Sequence, residues 1–169
     1  MRIFLIGFMG SGKTTIGRQL VSMLGYKFID QDELIEKHYN MTVSEIFATF
    51  GEEKFRETEH EVLADLIMKK DDFVVSTGGG APCFSDNMQL MNNNGMTVYL
   101  KADPKTLVHR LKDSTETRPL LKGKTELELL QFVTNKLAER EPYYNQAKLI
   151  IPTDDLQVED VIIKLKESL

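Results

Sequence analysis

The sequence has no tryptophan, a single cysteine and no apolar run near the roughly 18 residues that a membrane-spanning helix needs. With Cys83 alone, no intramolecular disulfide and no cysteine-based metal site can form, which fits a reducing compartment. The apolar stretch at Met1 to Gly7 is too short for a secretory signal and lacks a small-residue cleavage site. A soluble, cytoplasmic protein with no membrane association is expected. Positive charge is also scarce: 21 Lys plus Arg against 26 Asp plus Glu give a net charge of -5. Nothing therefore hints at the basic face with which proteins grip a polynucleotide, and no nucleic-acid partner is expected. A small anion needs only a few well-placed cations and is not excluded. His38, His60 and His109 lie far apart, without metal-ligand spacing.

What is present is alternation. Short apolar runs at 3–6, 26–29, 73–76, 97–100 and 149–151 read as strands. Between them lie segments of helical period: 14–24, closed by Gly25; 32–38; 87–93; one opening at Asp103-Pro104; 126 to about 146; and 158–169. Thr42-Val43-Ser44-Glu45 has the form of a capping box, and Gly51 separates the short helix it opens from a polar helix reaching about Lys69. Wholly apolar strands separated by helices predict an α/β fold with a parallel sheet covered on both faces. No composition break or repeat divides the chain, so residues 1–169 read as one domain. The stretch 113–124 is polar, has little period and holds Pro119 and Gly123, and reads as a mobile loop.

Gly7-Phe8-Met9-Gly10-Ser11-Gly12-Lys13-Thr14 matches the phosphate-binding pattern G-x-x-x-x-G-K-[ST] in full. Glycines let the backbone curl around a phosphate, and the loop aims successive N–H groups at it from the positive end of the following helix. Lys13 can reach the β- and γ-phosphates, and the Thr14 hydroxyl is placed to ligate Mg²⁺. A glycine-rich turn with an exposed lysine is the plainer reading, but four fixed positions match by chance in roughly 1% of such chains or fewer. A strand before and a helix after complete the context, so nucleotide binding is the expectation.

The acceptor side is less specific. Asp30 and Asp32 lie at the end of the second strand, where ligands gather in a doubly wound sheet. They could divide labour, one near Mg²⁺ and one accepting the proton of an attacking hydroxyl, or simply cap the next helix. Arg56, in a polar helix, and Arg140, in the long helix before Pro142, are by themselves most often surface charges. Gly78-Gly79-Gly80 at a strand's carboxyl end suits close approach of backbone to a ligand, or a flexible turn. Arg118 lies in the loop, where a cation could swing over a transferring phosphoryl group. Cys83 has no adjacent cation in sequence and reads as a structural thiol.

Taken in order and spacing, these features resemble the shikimate kinase family over nearly the whole chain. The resemblance rests on the P-loop followed by Thr14-Thr15-Ile16-Gly17, Asp-x-Asp at 30 and 32, and Phe-Arg-x-x-Glu at 55–59. Gly78 to Gly80, Arg-Pro-Leu-Leu at 118–121 and Arg-x-x-x-Tyr at 140–144 complete it. It implies a five-stranded parallel sheet in the order 2-3-1-4-5, as in nucleoside monophosphate kinases. A lid over about 113–124 and a substrate-binding helical segment over about 32–60 are implied with it. ATP is the implied co-substrate, held by Gly10, Ser11, Gly12, Lys13, Thr14 and Thr15, with Arg110 on the adenine side and Arg118 closing from the lid. Mg²⁺ would rest on Thr14 and, through water, on Asp30. Asp32 would bind the ring hydroxyls of shikimate and serve as base. Arg56 and Arg140 would take its carboxylate, with Gly78, Gly79 and Gly80 against the ring. Lys13, Asp32 and Arg118 are the implied catalytic set. Independently, the chain's size and self-contained fold suggest a monomer. The chain departs from the family at Pro152-Thr153-Asp154-Asp155, where some members carry a basic residue over adenine, and at Ser76, often alanine. Two other readings are a gluconate or nucleotide kinase and a non-catalytic ATP-binding module. The first gives no reason for the arginine pair; Asp32, Thr14 and a lid arginine argue against the second.

Overall fold

The computed structural model describes residues 1–112, 121 and 123–168. Five strands, β1 (Arg2–Ile6), β2 (Lys27–Asp30), β3 (Phe73–Ser76), β4 (Met96–Lys101) and β5 (Leu149–Pro152), form one sheet in the order β2-β3-β1-β4-β5. Every pairing is parallel. The inner strands β1, β3 and β4 are buried on both sides because both faces are covered, whereas the edge strands β2 and β5 are partly exposed. Phe4 and Ile6 point into a core completed by Leu63, Met88, Leu107, Val133 and Tyr144. Ile3 and Leu5, alternate in β1, point into a second core with Ile16, Leu20, Val161 and Leu165.

The second face is built by α1 (Lys13–Leu24) and α7 (Val158–Ser168), the first by α3 (Val43–Met68), α4 (Asn87–Asn94), α5 (Pro104–Lys112) and α6 (Glu126–Tyr144). The short α2 (Gln31–Tyr39) packs on α3 through Ile35, Ile46 and Phe55. The predicted strand order and the positions of the helices hold. Thr42 and Glu45 form the expected capping box, the Glu45 carboxylate accepting from Thr42 N at 2.7 Å. Gly51, at φ 82° and ψ 170°, is non-helical and separates the two predicted helices, so α3 is two helices joined at a kink. A second capping box, Thr125 with Glu128, opens α6, which ends at Tyr144, two residues earlier than its apolar period suggested.

Two features departed from expectation. A 3-10 turn over Ala81–Cys83 follows the three glycines. Leu121, expected in the loop over 113–124, is buried in the core beside α5 and α6. The remainder of that loop up to residue 120, with Arg118, lies outside the described residues. Among the described residues, no helix is long and apolar enough to cross a membrane.

Candidate active site

Parallel register brings the functional residues to one edge. Asp30 pairs with Ser76, and Ser76 with Leu5, so the carboxyl ends of β1, β2 and β3 stand side by side. Beyond Ile6 the chain turns through Gly7, where a Cβ would lie 2.8 Å from Ser11 Oγ and 2.9 Å from Leu100 O. Gly12 begins α1 in the left-handed region, with no side-chain cap on the helix's first N–H groups. Such uncapped donors at a helix N-terminus are suited to phosphate. Lys13 folds back over the loop and donates to Gly7 O at 2.8 Å and Phe8 O at 3.0 Å. Ser11 Oγ is buried without a hydrogen-bond partner among the described residues.

A cleft of about 670 Å³ runs along this edge. Gly10, Ser11, Gly12, Lys13, Thr14 and Thr15 line its middle, and Asp30, Asp32 and Gly79 line one end. At the other end Arg110 donates to Gly10 O at 3.4 Å and Thr153 O at 3.1 Å, tying the P-loop to the chain after β5. Asp154 there accepts from Asp103 N at 2.8 Å. The departure from the family pattern at 152–155 is thus a fixed segment whose carbonyl anchors Arg110, and Leu156 and Val158 continue the wall.

The two aspartates separate cleanly. Asp30 both caps a helix and faces the nucleotide side. Its Oδ1 accepts from Asp32 N and Glu33 N at the start of α2, while Oδ2 accepts from Thr14 Oγ1 at 3.2 Å. Ser76 Oγ lies 3.4 Å from the same hydroxyl. Three hard oxygens so grouped are the donor type that suits Mg²⁺. Asp32 caps nothing. Its carboxylate turns toward Gly78, and burial, then the charge of Asp30, push its pKa up while Lys13 and Arg56 pull it down.

The three glycines have distinct reasons. A Cβ on Gly78 would meet Glu59 Oε1 at 2.7 Å and Asp32 Oδ1 at 3.0 Å. On Gly79 it would come within 3.2 Å of Arg140 Nη1, and on Gly80 within 2.6 Å of Arg56 Nη1. Two carboxylates and two guanidinium groups therefore converge on one bare turn. Arg56 is held from three sides: Glu59 at 2.7 Å, Glu52 at 3.4 Å and the Phe84 ring 4.1 Å away. Arg140 lies over Phe8 at 5.4 Å. Neither arginine is the solvated surface charge that its sequence context alone allowed.

Sequence reasoning quoted Glu59 only as part of a motif and passed over Phe84 and Gln31. Glu59 is 1% exposed, and its Oε1 has no hydrogen-bond partner. Burial pushes its pKa up from 4.5 to about 7, with Arg56 opposing. A folded-state pKa above the unfolded one means that this group favours folding fully below pH 4.5 and loses that contribution as pH rises through about 7. Relative to Glu59→Gln, the parent protein should lose melting temperature between pH of about 5 and about 7.5. A gap in melting temperature that does not change with pH would mean that Glu59 stays ionised throughout. Cys83 needs a different reason from the one sequence supplied. Arg140 and Arg56 do lie near in space, but burial outweighs them and pushes the thiol up to about 11.

A model of the shikimate kinase family matches residues 9–169. A shikimate kinase of Azobacteroides pseudotrichonymphae genomovar. CFP2 is 48% identical over 164 residues, covering 97% of this chain and 96% of its own length. The crystal structure of shikimate kinase from Bacteroides thetaiotaomicron superposes with a TM-score of 0.93 at 42% identity, covering 99% of this chain and 97% of that one. Shikimate kinase from Acinetobacter baumannii, solved in complex with shikimate, gives 0.86 at 34% identity, covering 99% and 91%. Matched by that family model over nearly its whole length and sharing the fold of these relatives, the chain belongs to the shikimate kinase family.

Proposed function

We propose that this protein transfers the γ-phosphoryl group of ATP to the 3-hydroxyl of shikimate, giving shikimate 3-phosphate and ADP in aromatic amino-acid biosynthesis. The observation that carries the reading is the convergence of Arg56 and Arg140 on the Gly78–Gly80 turn, with Asp32 between that turn and the P-loop. Shikimate offers one carboxylate and three hydroxyls. Two guanidinium groups suit the first through charge-assisted hydrogen bonds, and an aspartate with bare backbone suits the others.

Phosphoryl transfer depends mainly on positioning and charge stabilisation. ATP would lie with its phosphates over Gly10 to Thr15 and its base toward Arg110. Lys13 would leave its loop carbonyls for the β- and γ-phosphates. Thr14, and Asp30 through water, would hold Mg²⁺, which when bound neutralises the charge on the phosphates. Asp32 would orient the 3-hydroxyl and accept its proton as the new O–P bond forms. In the same reading Arg118 closes over the γ-phosphate from a lid over 113–124, excluding the water that would otherwise hydrolyse ATP. The segment 32–60 carries the acceptor, the whole chain acts as one domain and a monomer, and the single cysteine fits the cytoplasm.

A coupled ADP-release assay with ATP and Mg²⁺ tests this reading, with shikimate, gluconate and nucleoside monophosphates as parallel acceptors. Turnover confined to shikimate is expected, and turnover confined to another acceptor would overturn the arginine assignment. Arg140→Ala should raise KM for shikimate at least tenfold, about 1.4 kcal/mol, and leave KM for ATP nearly unchanged. Equal rises in both would remove Arg140 from the acceptor site.

A further inference from the structure

Gln31 is 0% exposed, an uncommon place for an amide side chain. It stands at the junction of β2 and α2, between Asp30 and Asp32. Both ends of its amide are used. Oε1 accepts from Gly78 N at 2.9 Å, and Nε2 donates to Glu59 O at 3.0 Å. Those two partners belong to different elements, the turn beyond β3 and the helix α3. A single side chain therefore joins three pieces of backbone that meet at the acceptor end of the cleft.

The partners matter as much as the bonds. Beside bare Gly78 stand Glu59 Oε1 and Asp32 Oδ1. One helical turn back in α3 is Arg56, whose guanidinium sits against Gly80. The distance from α3 to the turn thus sets how Arg56, Glu59 and Asp32 stand relative to one another. Sheet hydrogen bonds do not set it, since β3 ends at Ser76 and Thr77 N is the last to bond β1, at Leu5 O. We infer that Gln31 is a positioning residue for the acceptor, its buried amide fixing the glycine turn and α3 at the spacing that places Arg56 and Asp32 on one substrate. This inference rests on the acceptor assignment made above.

Gln31→Met keeps length and approximate volume but loses both bonds, leaving Gly78 N and Glu59 O without the amide. Kd for shikimate, read by calorimetry, should rise at least tenfold, with KM rising in step. Kd for a non-hydrolysable ATP analogue should stay within about twofold, since neither partner of the Gln31 amide belongs to the P-loop, and kcat at saturating shikimate should fall less than KM rises. Gln31→Asn, one methylene shorter, can keep one bond but not span both partners, and should fall between parent and Gln31→Met. It is read in the same way if Gln31→Met does not fold. Shikimate affinity within twofold of the parent in the folded variants would overturn the inference. So would parallel losses for shikimate and nucleotide, or failure of both variants to fold, either of which would make Gln31 a residue of general stability. A parent protein that ignores shikimate would overturn the acceptor assignment first, and this inference with it.

Discussion

Asp32→Asn should bind ATP as the parent protein does and lose turnover with shikimate by roughly a hundred- to ten-thousandfold, the range for removing a positioned general base. Geometry favours so large an effect. Asp30 spends its carboxylate on two backbone N–H groups of α2 and on Thr14, whereas no backbone cap engages the Asp32 carboxylate that faces Gly78. Burial and the neighbouring Asp30 charge raise its pKa, which makes it a better proton acceptor than a solvated aspartate. Asparagine keeps the shape and can still hydrogen-bond a hydroxyl, so the variant separates proton acceptance from anchoring. Lost kcat with nearly unchanged KM for shikimate would identify a base. Raised KM with preserved kcat would leave Asp32 as an anchor alone.

Lys13→Ala should lower kcat by about a hundred- to a thousandfold, comparable with removing one preorganised donor from a charged transition state. The side chain is 9% exposed and bonded to Gly7 O and Phe8 O, so it could be taken for a structural staple of its own loop. The two roles differ in what the variant retains. A staple would lower the melting temperature and shift the affinities for ATP and ADP together. A group serving the transferring phosphoryl would leave ADP binding closer to normal and remove catalysis at saturating ATP. Full kcat in a folded Lys13→Ala protein would rule out the catalytic role.

Much of this architecture was legible because its signals are local. An apolar run such as Phe73 to Val75 suits a strand covered on both faces. The P-loop carries its geometry in its glycines, and Thr42 with Glu45 announces a helix start. The acceptor site was legible only through a family pattern, because its residues come from four separate elements. Nothing local in Phe55-Arg56-Glu57 says that Arg56 will be wedged between Glu59 and Phe84, since Phe84 arrives from beyond β3. Glu59 has the identity of a surface residue and the burial of a core one. Gln31 is the clearest case: it looks like a spacer between two aspartates, and only the folded arrangement of α3 and the turn gives it partners. The aspartates offered a local choice between capping and catalysis; Asp30 does cap, through Oδ1, while its Oδ2 accepts from Thr14.

The three bare Cα atoms at 78–80 have a consequence for engineering. Each faces a different functional partner: carboxylates at Gly78, Arg140 at Gly79 and Arg56 at Gly80. Enlarging the turn would press on a group of the proposed acceptor site, most closely at Gly78 and Gly80. Attempts to redirect this protein to a bulkier or differently charged acceptor must therefore leave the turn intact. They should vary instead the rim around Cys83 and Phe84, where Phe84 is 36% exposed and a change in shape disturbs Arg56 through a ring rather than through the backbone. Selectivity would then be retuned from the edge inward.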